Sequence, residues 1–376
     1  MTAGACHPAS RRRAATWALG ALALTVSSAA TAAPEGATAA ASASSTSEDA
    51  EDEPGKQAIP WHGSTLLFDQ SLTTQTVGVG ADYQSANPTY EWWVALKPRY
   101  FVYETRATAV SVNLWANLFL ELTNSDTTTR RRETVIGPTY LWASYARTLG
   151  ARRGYKTTFT VGPRLTIPTD KVARSSGQIV GLGGTIGLTQ AFPLRGTSAR
   201  ALRGARLSVG AIYNHPFARA TTGVNDDLRW TRQDVGGRPV FSDQLTGAAL
   251  VQHALNASFS AELDVLPRLS VSASYVLLNA WIYPPSRADC VATLTGCDQP
   301  IEVANPTTFR VSTWGTAAVT YEVVDDLSVS LGYYNLASQI GGDGARRNPL
   351  WSPAARFFLS VTGNLDIVYA RLMSKP

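Results

Sequence analysis

Three histidines after residue 32 are candidates for acid–base or metal chemistry: His62, His215 and His253. A hydrolase needs a nucleophile, a base and an orienting group within hydrogen-bond reach of one another. His215 lies in the sequence Asn214-His215-Pro216, and no serine next to it forms a recognisable nucleophile motif. We therefore predict no catalytic, cofactor-binding or metal-binding residues, with a lipid hydrolase as a less favoured alternative.

Two cysteines, Cys290 and Cys297, lie after residue 32, with six residues between them. In an oxidising compartment, such a pair in a surface loop is expected to form a disulfide. Closing so small a ring stabilises the fold by about 2.5 kcal/mol. A metal site or a redox pair would need further His or Cys ligands nearby, and the sequence around the pair supplies none. The sequence therefore predicts a structural disulfide.

The stretch from Val110 to Leu122 alternates apolar and more polar residues without a break. Its even-numbered positions are all Val, Leu or Ala, whereas the odd positions between them include Ser, Asn and Glu. A period of two indicates a β-strand whose two faces meet different environments. Similar segments recur along the chain behind an export signal, and this combination favours an antiparallel transmembrane β-barrel of the up-and-down type.

The first 32 residues are typical of a secretory signal peptide. Arg11, Arg12 and Arg13 precede an apolar run, and Ala30-Thr31-Ala32 offers small residues for cleavage. Residues 33–60 are rich in Ala and Ser and contain an acidic cluster, so they are predicted to be a disordered linker. The barrel domain is then predicted to span residues 61–376.

The charge of the chain excludes one class of partner. The 376 residues contain 33 basic and 28 acidic side chains, and residues 61–376 carry a formal charge of about +7. This excess is modest for a domain of that size, and no nucleic-acid-binding motif accompanies it. We therefore predict that the protein does not bind nucleic acid.

The region from Trp61 onward divides into about twelve alternating segments of roughly ten or more residues, the length a tilted membrane strand needs. The predicted strands are 71–84, 89–103, 108–122, 134–147, 155–168, 178–193, 204–216, 248–264, 268–283, 308–323, 327–340 and 355–371. The connections alternate between short turns and long loops, which matches short periplasmic turns and long extracellular loops. The first external loop, 85–88, is the exception because it is short.

If the apolar parity faces lipid, the other parity faces the interior of the barrel. The predicted pore-lining residues are Glu91, Lys97, Arg99, Trp115, Asn117, Glu121, Arg164, Glu262, Arg310, Trp314 and Glu322. The same face carries further bulky rings, including Trp93, Phe119, Tyr334 and Phe358. Because twelve strands enclose a space between that of filled eight-stranded barrels and that of open porins, these rings imply a narrow or partly occluded passage.

Two functions of different classes remain open at this point. The first is passive transport of a small solute, with the inward charges setting the selectivity. The second is an occluded barrel whose basic external loops bind lipopolysaccharide phosphates or a surface partner. The basic residues of these loops are Arg130, Arg131, Arg132, Arg229, Arg232, Arg238, Arg346 and Arg347.

Residues 61–376 resemble uncharacterised Gram-negative outer-membrane β-barrel proteins of about this size, which are porin-like and have about twelve strands. The resemblance rests on Pro98-Arg99-Tyr100, on Glu121-Leu122-Thr123-Asn124-Ser125-Asp126 and on Pro163-Arg164-Leu165-Thr166-Ile167-Pro168. It implies a multi-pass barrel in the outer membrane, in contact with its lipids and inserted by the outer-membrane assembly machinery. It implies neither a particular substrate nor catalytic residues.

Overall fold

The computed structural model describes residues 59–73, 89–123, 132–152, 155–194, 202–221, 233–235, 238–240, 250–284, 308–339, 346, 348–352 and 355–373. The predicted signal peptide, all but the last two residues of the predicted linker, and the predicted disulfide between Cys290 and Cys297 lie outside the described residues. The predicted domain boundaries stay predictions.

Twelve antiparallel strands of the described chain form one closed barrel. Each strand pairs with the next, and the first pairs with the last. The strands are β1 (Thr65–Thr73), β2 (Tyr90–Lys97, continued after Pro98 by Arg99–Glu104), β3 (Thr108–Glu121), β4 (Thr134–Ile136, continued by Thr139–Arg152), β5 (Tyr155–Ile167), β6 (Gln178–Pro193), β7 (Gly204–Ala218), β8 (Val251–Leu266), β9 (Leu269–Ile282), β10 (Phe309–Val324), β11 (Leu327–Ser338) and β12 (Arg356–Asn364).

Three smaller elements accompany the barrel. Helix α1 (Lys171–Ser175) lies between β5 and β6, and helix α2 (Leu365–Met373) follows β12. Gln233–Val235 and Arg238–Val240 form a separate two-stranded hairpin. Within the described residues, no helix is both long enough and apolar enough to cross a membrane.

Burial along β3 confirms the predicted alternation. Ser111, Asn113 and Trp115 are buried, whereas Val112 and Leu118 are about two-fifths exposed. Since the two faces of a strand in a closed barrel point inward and outward, the buried face is the interior.

The exterior of the barrel is apolar around its circumference. Exposed apolar side chains of the strands include Leu66, Val112, Leu118, Leu188, Val209, Phe259, Val319, Leu331 and Leu359. Lipid leaves no partner for free backbone groups, so strands cross it only as a closed barrel, and such barrels have an apolar outer band. The protein is therefore an outer-membrane β-barrel whose outer surface contacts lipid.

The connections between strands agree with the predicted orientation. Three of the turns described at one end of the barrel contain two or three residues: 105–107, 267–268 and 325–326. The connections at the other end are much longer, and 219–250 is the longest of them. Short turns belong on the periplasmic side and long loops on the outside, so both ends of the barrel domain lie on the periplasmic side.

The prediction for the first strand is wrong in position. The structure places β1 at Thr65–Thr73, so the strand begins six residues before the predicted segment 71–84, and residues 74–88 lie outside the described residues. The alternation in β1 is weakened because Leu67 faces inward and Gln70 faces outward. The predicted short loop 85–88 lies outside the described residues.

The prediction for the last strand is wrong beyond Asn364. The neighbours of β12 end at this level, since Asn364 is opposite Thr65 of β1 and Gly363 is opposite Leu327 of β11. Without partners the chain turns into helix α2, whose Leu365, Val368 and Leu372 recur at a helical spacing. Arg371 in the last turn pairs with Asp326 at 2.9 Å.

One part of the exterior is covered by the chain itself. Asn335 belongs to the outward parity of β11, yet it is fully buried. Its Nδ2 donates to the carbonyl oxygen of Pro349 at 2.9 Å, and the hydroxyl of Tyr333 donates to that of Leu350 at 2.6 Å. The external segment 348–352 therefore lies against the outer wall and satisfies a polar side chain there.

Candidate functional site: the barrel interior

All eleven predicted pore-lining side chains lie on the interior parity of their strands. Those that are buried are Trp115, Asn117, Glu121, Arg164, Glu262 and Trp314. Those that are half-buried are Glu91, Lys97, Arg99, Arg310 and Glu322. Their assignment to a conducting pore stays a prediction.

An aromatic cluster covers the inner wall formed by β2, β3 and β4. Trp115 lies at its centre, with ring centroids of Trp93 at 6.0 Å and of Tyr140 at 5.8 Å. Trp93 also stacks on Phe119 with nearly parallel rings at 5.9 Å. Trp115 and Tyr140 are 2% and 5% exposed, so this wall is tightly packed. We call these four residues the aromatic wall.

Two cations lie over the rings of the aromatic wall. Nζ of Lys97 is 4.5 Å from the ring centroid of Trp115, and Cζ of Arg164 is 4.2 Å from that of Tyr140. A cation over an aromatic face is stabilised by about 0.5–2 kcal/mol. Both cations therefore have fixed positions beside the aromatic wall.

A second group of residues lies where the barrel closes between β12 and β1. Trp314 stacks on Tyr334 at 5.1 Å, and the ring of Phe358 is 6.0 Å from Tyr334. Arg356 donates to Glu91 at 3.2 Å, which joins β12 to β2 across β1. Charged groups of both signs are thus held inside the barrel as pairs.

A third group lies nearer the periplasmic end. Arg206 of β7 donates to Glu262 of β8 at 2.8 Å. Asp264 and Glu322 share the inward parity of this region, and both are half-buried. Acidic groups are therefore concentrated on the wall formed by β8 and β10.

Several interior residues were not among the predicted pore-lining residues. They are Asp69, Ser71, Tyr140, Trp142, Arg206, Asp264 and Arg356. Asp69 and Ser71 were missed because β1 was misplaced. Asp264 and Arg356 share the parity of Glu262 and Phe358, which were predicted to face inward, so the same alternation could have found them.

The histidines occupy two separate places. His62 stacks on Phe101 at 4.1 Å, and its Nε2 is 2.8 Å from Glu104 near the periplasmic end. His215 and His253 meet on the outer wall near the external end, on the adjacent strands β7 and β8. Among the residues that the structure describes, no three or more His, Cys, Asp or Glu side chains form a group that could hold a metal ion.

The interior as a whole combines polar walls with a restricted cross-section. Serine, threonine and asparagine side chains lie between the charged pairs; examples are Ser260, Thr166 and Asn113. Such groups can hydrogen-bond water or a polar solute, whereas the aromatic wall adds bulky rings to one side of the interior. This arrangement can pass or hold a small polar molecule, and the described interior residues include no assembled nucleophile and base.

No protein-family model matches the chain, and no curated protein matches it in sequence. Among solved structures, it is similar to an outer membrane channel from Pseudomonas putida F1, with 11% identity, a TM-score of 0.45, and coverage of 83% of this chain and 98% of that chain. It is also similar to the NanC porin, with 8% identity, a TM-score of 0.36, and coverage of 80% and 99%.

A third similar structure is the outer membrane phospholipase A from Escherichia coli. It shares 11% identity, covers 83% of this chain and 95% of that chain, and gives a TM-score of 0.36. That the protein is not an enzyme stays a prediction.

Proposed function

We propose that the protein is a narrow passive channel that carries small solutes across the outer membrane. The observation that supports it best is the contrast between an apolar outer wall and an interior of charged and hydroxyl-bearing side chains. A barrel that served only as an anchor could fill its centre with apolar side chains. Paired charges such as Arg356 with Glu91 suit a hydrated passage, because water lowers the cost of enclosing them.

The eleven predicted pore-lining residues would set the selectivity of this channel. They include cations of β2, β5 and β10 and carboxylates of β2, β3, β8 and β10, so a passing solute meets both signs of charge. Selectivity in such pores follows from pore diameter and from the charges and hydrogen-bonding groups of the wall. The aromatic wall supports a small solute, since it narrows the space that twelve strands enclose.

Single-channel recording in planar lipid bilayers tests this proposal. The refolded protein should show steady, discrete conductance steps. Replacing Trp93 by Ala should enlarge the steps, because Trp93 faces inward and stacks on Phe119. Replacing its neighbour Trp92 by Ala should leave them unchanged, because Trp92 faces outward and is 38% exposed. Equal step sizes in the two variants would contradict the assignment of the aromatic wall to the conducting path.

The second candidate is an occluded barrel that works as a surface platform, and the burial of Trp115 and Tyr140 favours it. Its basic external loops would bind lipopolysaccharide; Arg132, Arg238 and Arg346 of these loops lie within the described residues. Complete absence of steps from both the wild-type protein and the Trp93→Ala variant would favour this function. For either function, we propose insertion by the outer-membrane assembly machinery.

A further inference from the structure

His215 and His253 are 38 residues apart in the chain but converge on the outer wall of the barrel. Their Nδ1 atoms are 3.2 Å apart, and their rings are 4.8 Å apart and tilted by 34°. The hydroxyl oxygen of Tyr213 is 2.7 Å from the same Nδ1 of His253. One oxygen and one nitrogen therefore lie close to Nδ1 of His253, and the cluster is open on its outer side because Tyr213 is 41% exposed.

Hydrogen bonding alone accounts poorly for this convergence. An imidazole Nδ1 offers one in-plane position, which is either an N–H donor or a lone pair. Nδ1 of His253 has two close neighbours, the hydroxyl of Tyr213 and Nδ1 of His215. In either tautomer it can make one good hydrogen bond, so the other contact is left unmatched.

A single metal ion between the two Nδ1 atoms would bind both nitrogens, and the hydroxyl of Tyr213 lies near enough to supply an oxygen ligand. Zn²⁺ binds imidazole nitrogen at about 2.0–2.1 Å in a tetrahedral arrangement, which places two such nitrogens roughly 3.4 Å apart. The 3.2 Å between the two Nδ1 atoms is close to that spacing. Imidazole nitrogen is a suitable ligand for Zn²⁺, Cu²⁺ and Ni²⁺.

The surrounding structure holds both rings in place. Asn214 is opposite Ala254, so the next residue of β7 is level with His253. The ring of Phe217 packs edge-on against His215 at 4.5 Å, and Tyr213 stacks on His253 at 6.0 Å. Neighbouring aromatic rings and two paired strands thus orient the nitrogens before any ion arrives.

We propose that His215, His253 and Tyr213 form a site for one divalent transition-metal ion, of the Zn²⁺ class, on the outer wall near the external end. The two imidazoles supply nitrogen ligands and the tyrosine supplies an oxygen. The remaining position around the ion lies on the exposed side of the cluster. The site is independent of the channel proposed above, since its side chains face away from the interior.

Calorimetric titration of the refolded barrel in detergent with zinc chloride tests this site. Cys290 and Cys297 are replaced by Ser throughout, so that thiols do not bind the ion. Wild-type protein should bind one Zn²⁺ per barrel. His215→Gln and His253→Gln should each weaken binding at least about tenfold, and Tyr213→Phe should weaken it by a smaller, measurable factor. His62→Gln, the matched control at the opposite end, should bind like the wild type.

Paramagnetic resonance of bound Cu²⁺ provides a second measurement that does not depend on the affinity. Two imidazole nitrogens should split the wild-type spectrum, and one should do so in each His→Gln variant. Circular dichroism and heat-dependent gel mobility establish that each variant is folded. Lack of saturable binding to the wild type, unchanged binding in any of the three site variants, or an equal loss in His62→Gln would overturn the proposal.

Discussion

The ion pair between Arg206 and Glu262 lies inside the barrel, with the two side chains 21% and 6% exposed. Another pair, Arg268 with Asp325, lies at the periplasmic end, with side chains 49% and 79% exposed and 3.5 Å apart. The two pairs join neighbouring parts of the same wall, but they differ in how much water surrounds them. Because solvent screens charge, the interior pair should matter far more to stability than the exposed one.

Replacing Arg206 by Met should lower the free energy of unfolding by about 3–5 kcal/mol, since it leaves the buried carboxylate of Glu262 without its partner. Replacing Arg268 by Met should cost about 1 kcal/mol or less. Urea unfolding of both variants in lipid vesicles, followed by tryptophan fluorescence, measures the difference. Equal losses would mean that Glu262 is as well solvated as Asp325.

At some positions in the barrel, the backbones of neighbouring strands approach so closely that only glycine fits. A Cβ on Gly162 of β5 would lie 1.8 Å from the carbonyl oxygen of Ala143 on β4. The obstructing atom belongs to the backbone, so no side-chain rotation can relieve the clash. Gly187 of β6 differs, because the nearest atom to its Cβ would be the carbonyl oxygen of Val209 at 3.7 Å, an ordinary contact.

Gly162→Ala should therefore destabilise the barrel by about 1–3 kcal/mol, as overpacking does elsewhere. Gly187→Ala should change the stability by about 0.5 kcal/mol or less. The midpoint of urea unfolding gives both values, and heat-dependent gel mobility reports the folded fraction. A Gly162→Ala barrel as stable as Gly187→Ala would show that β4 and β5 are further apart than described here.

The whole molecule separates two solvents, lipid outside and a polar space inside. Leu331 and Ser330 are adjacent near the middle of β11, yet Leu331 is 64% exposed on the outer wall. Ser330 lies inside, with its hydroxyl 2.8 Å from that of Thr320. Their opposite orientations follow from the pleat of the strand. Because the sheet is closed into a barrel, one of these faces is the interior and the other contacts lipid.

Leu331→Arg should impair folding into lipid vesicles, because a cation on the lipid face near the midplane costs about 2–4 kcal/mol. Ser330→Arg should fold better, since its guanidinium enters the polar interior. The folded fraction of each variant, measured by gel mobility after refolding, separates the two cases. Equal folded fractions would mean that the two walls of β11 have been assigned to the wrong solvents.

Local alternation predicts the bounds of a strand correctly where the neighbouring strands on both sides extend along the whole segment. The strand predicted at 178–193 coincides with β6, and its four glycines lie within the strand. The prediction was wrong for the start of the first strand and for the end of the last strand. The limits of β1 and β12 depend on where other strands start and stop, and no short stretch of sequence contains that information.

The sequence by itself determined the strand class, the approximate number of strands and the face of most side chains. These follow from a period of two, which is a local property of an extended chain. Only the tertiary structure decided which side chains meet: Trp115 with Tyr140, Arg356 with Glu91, and His215 with His253. These side-chain contacts depend on the register between paired strands. Closure of the barrel sets that register for all twelve strands together.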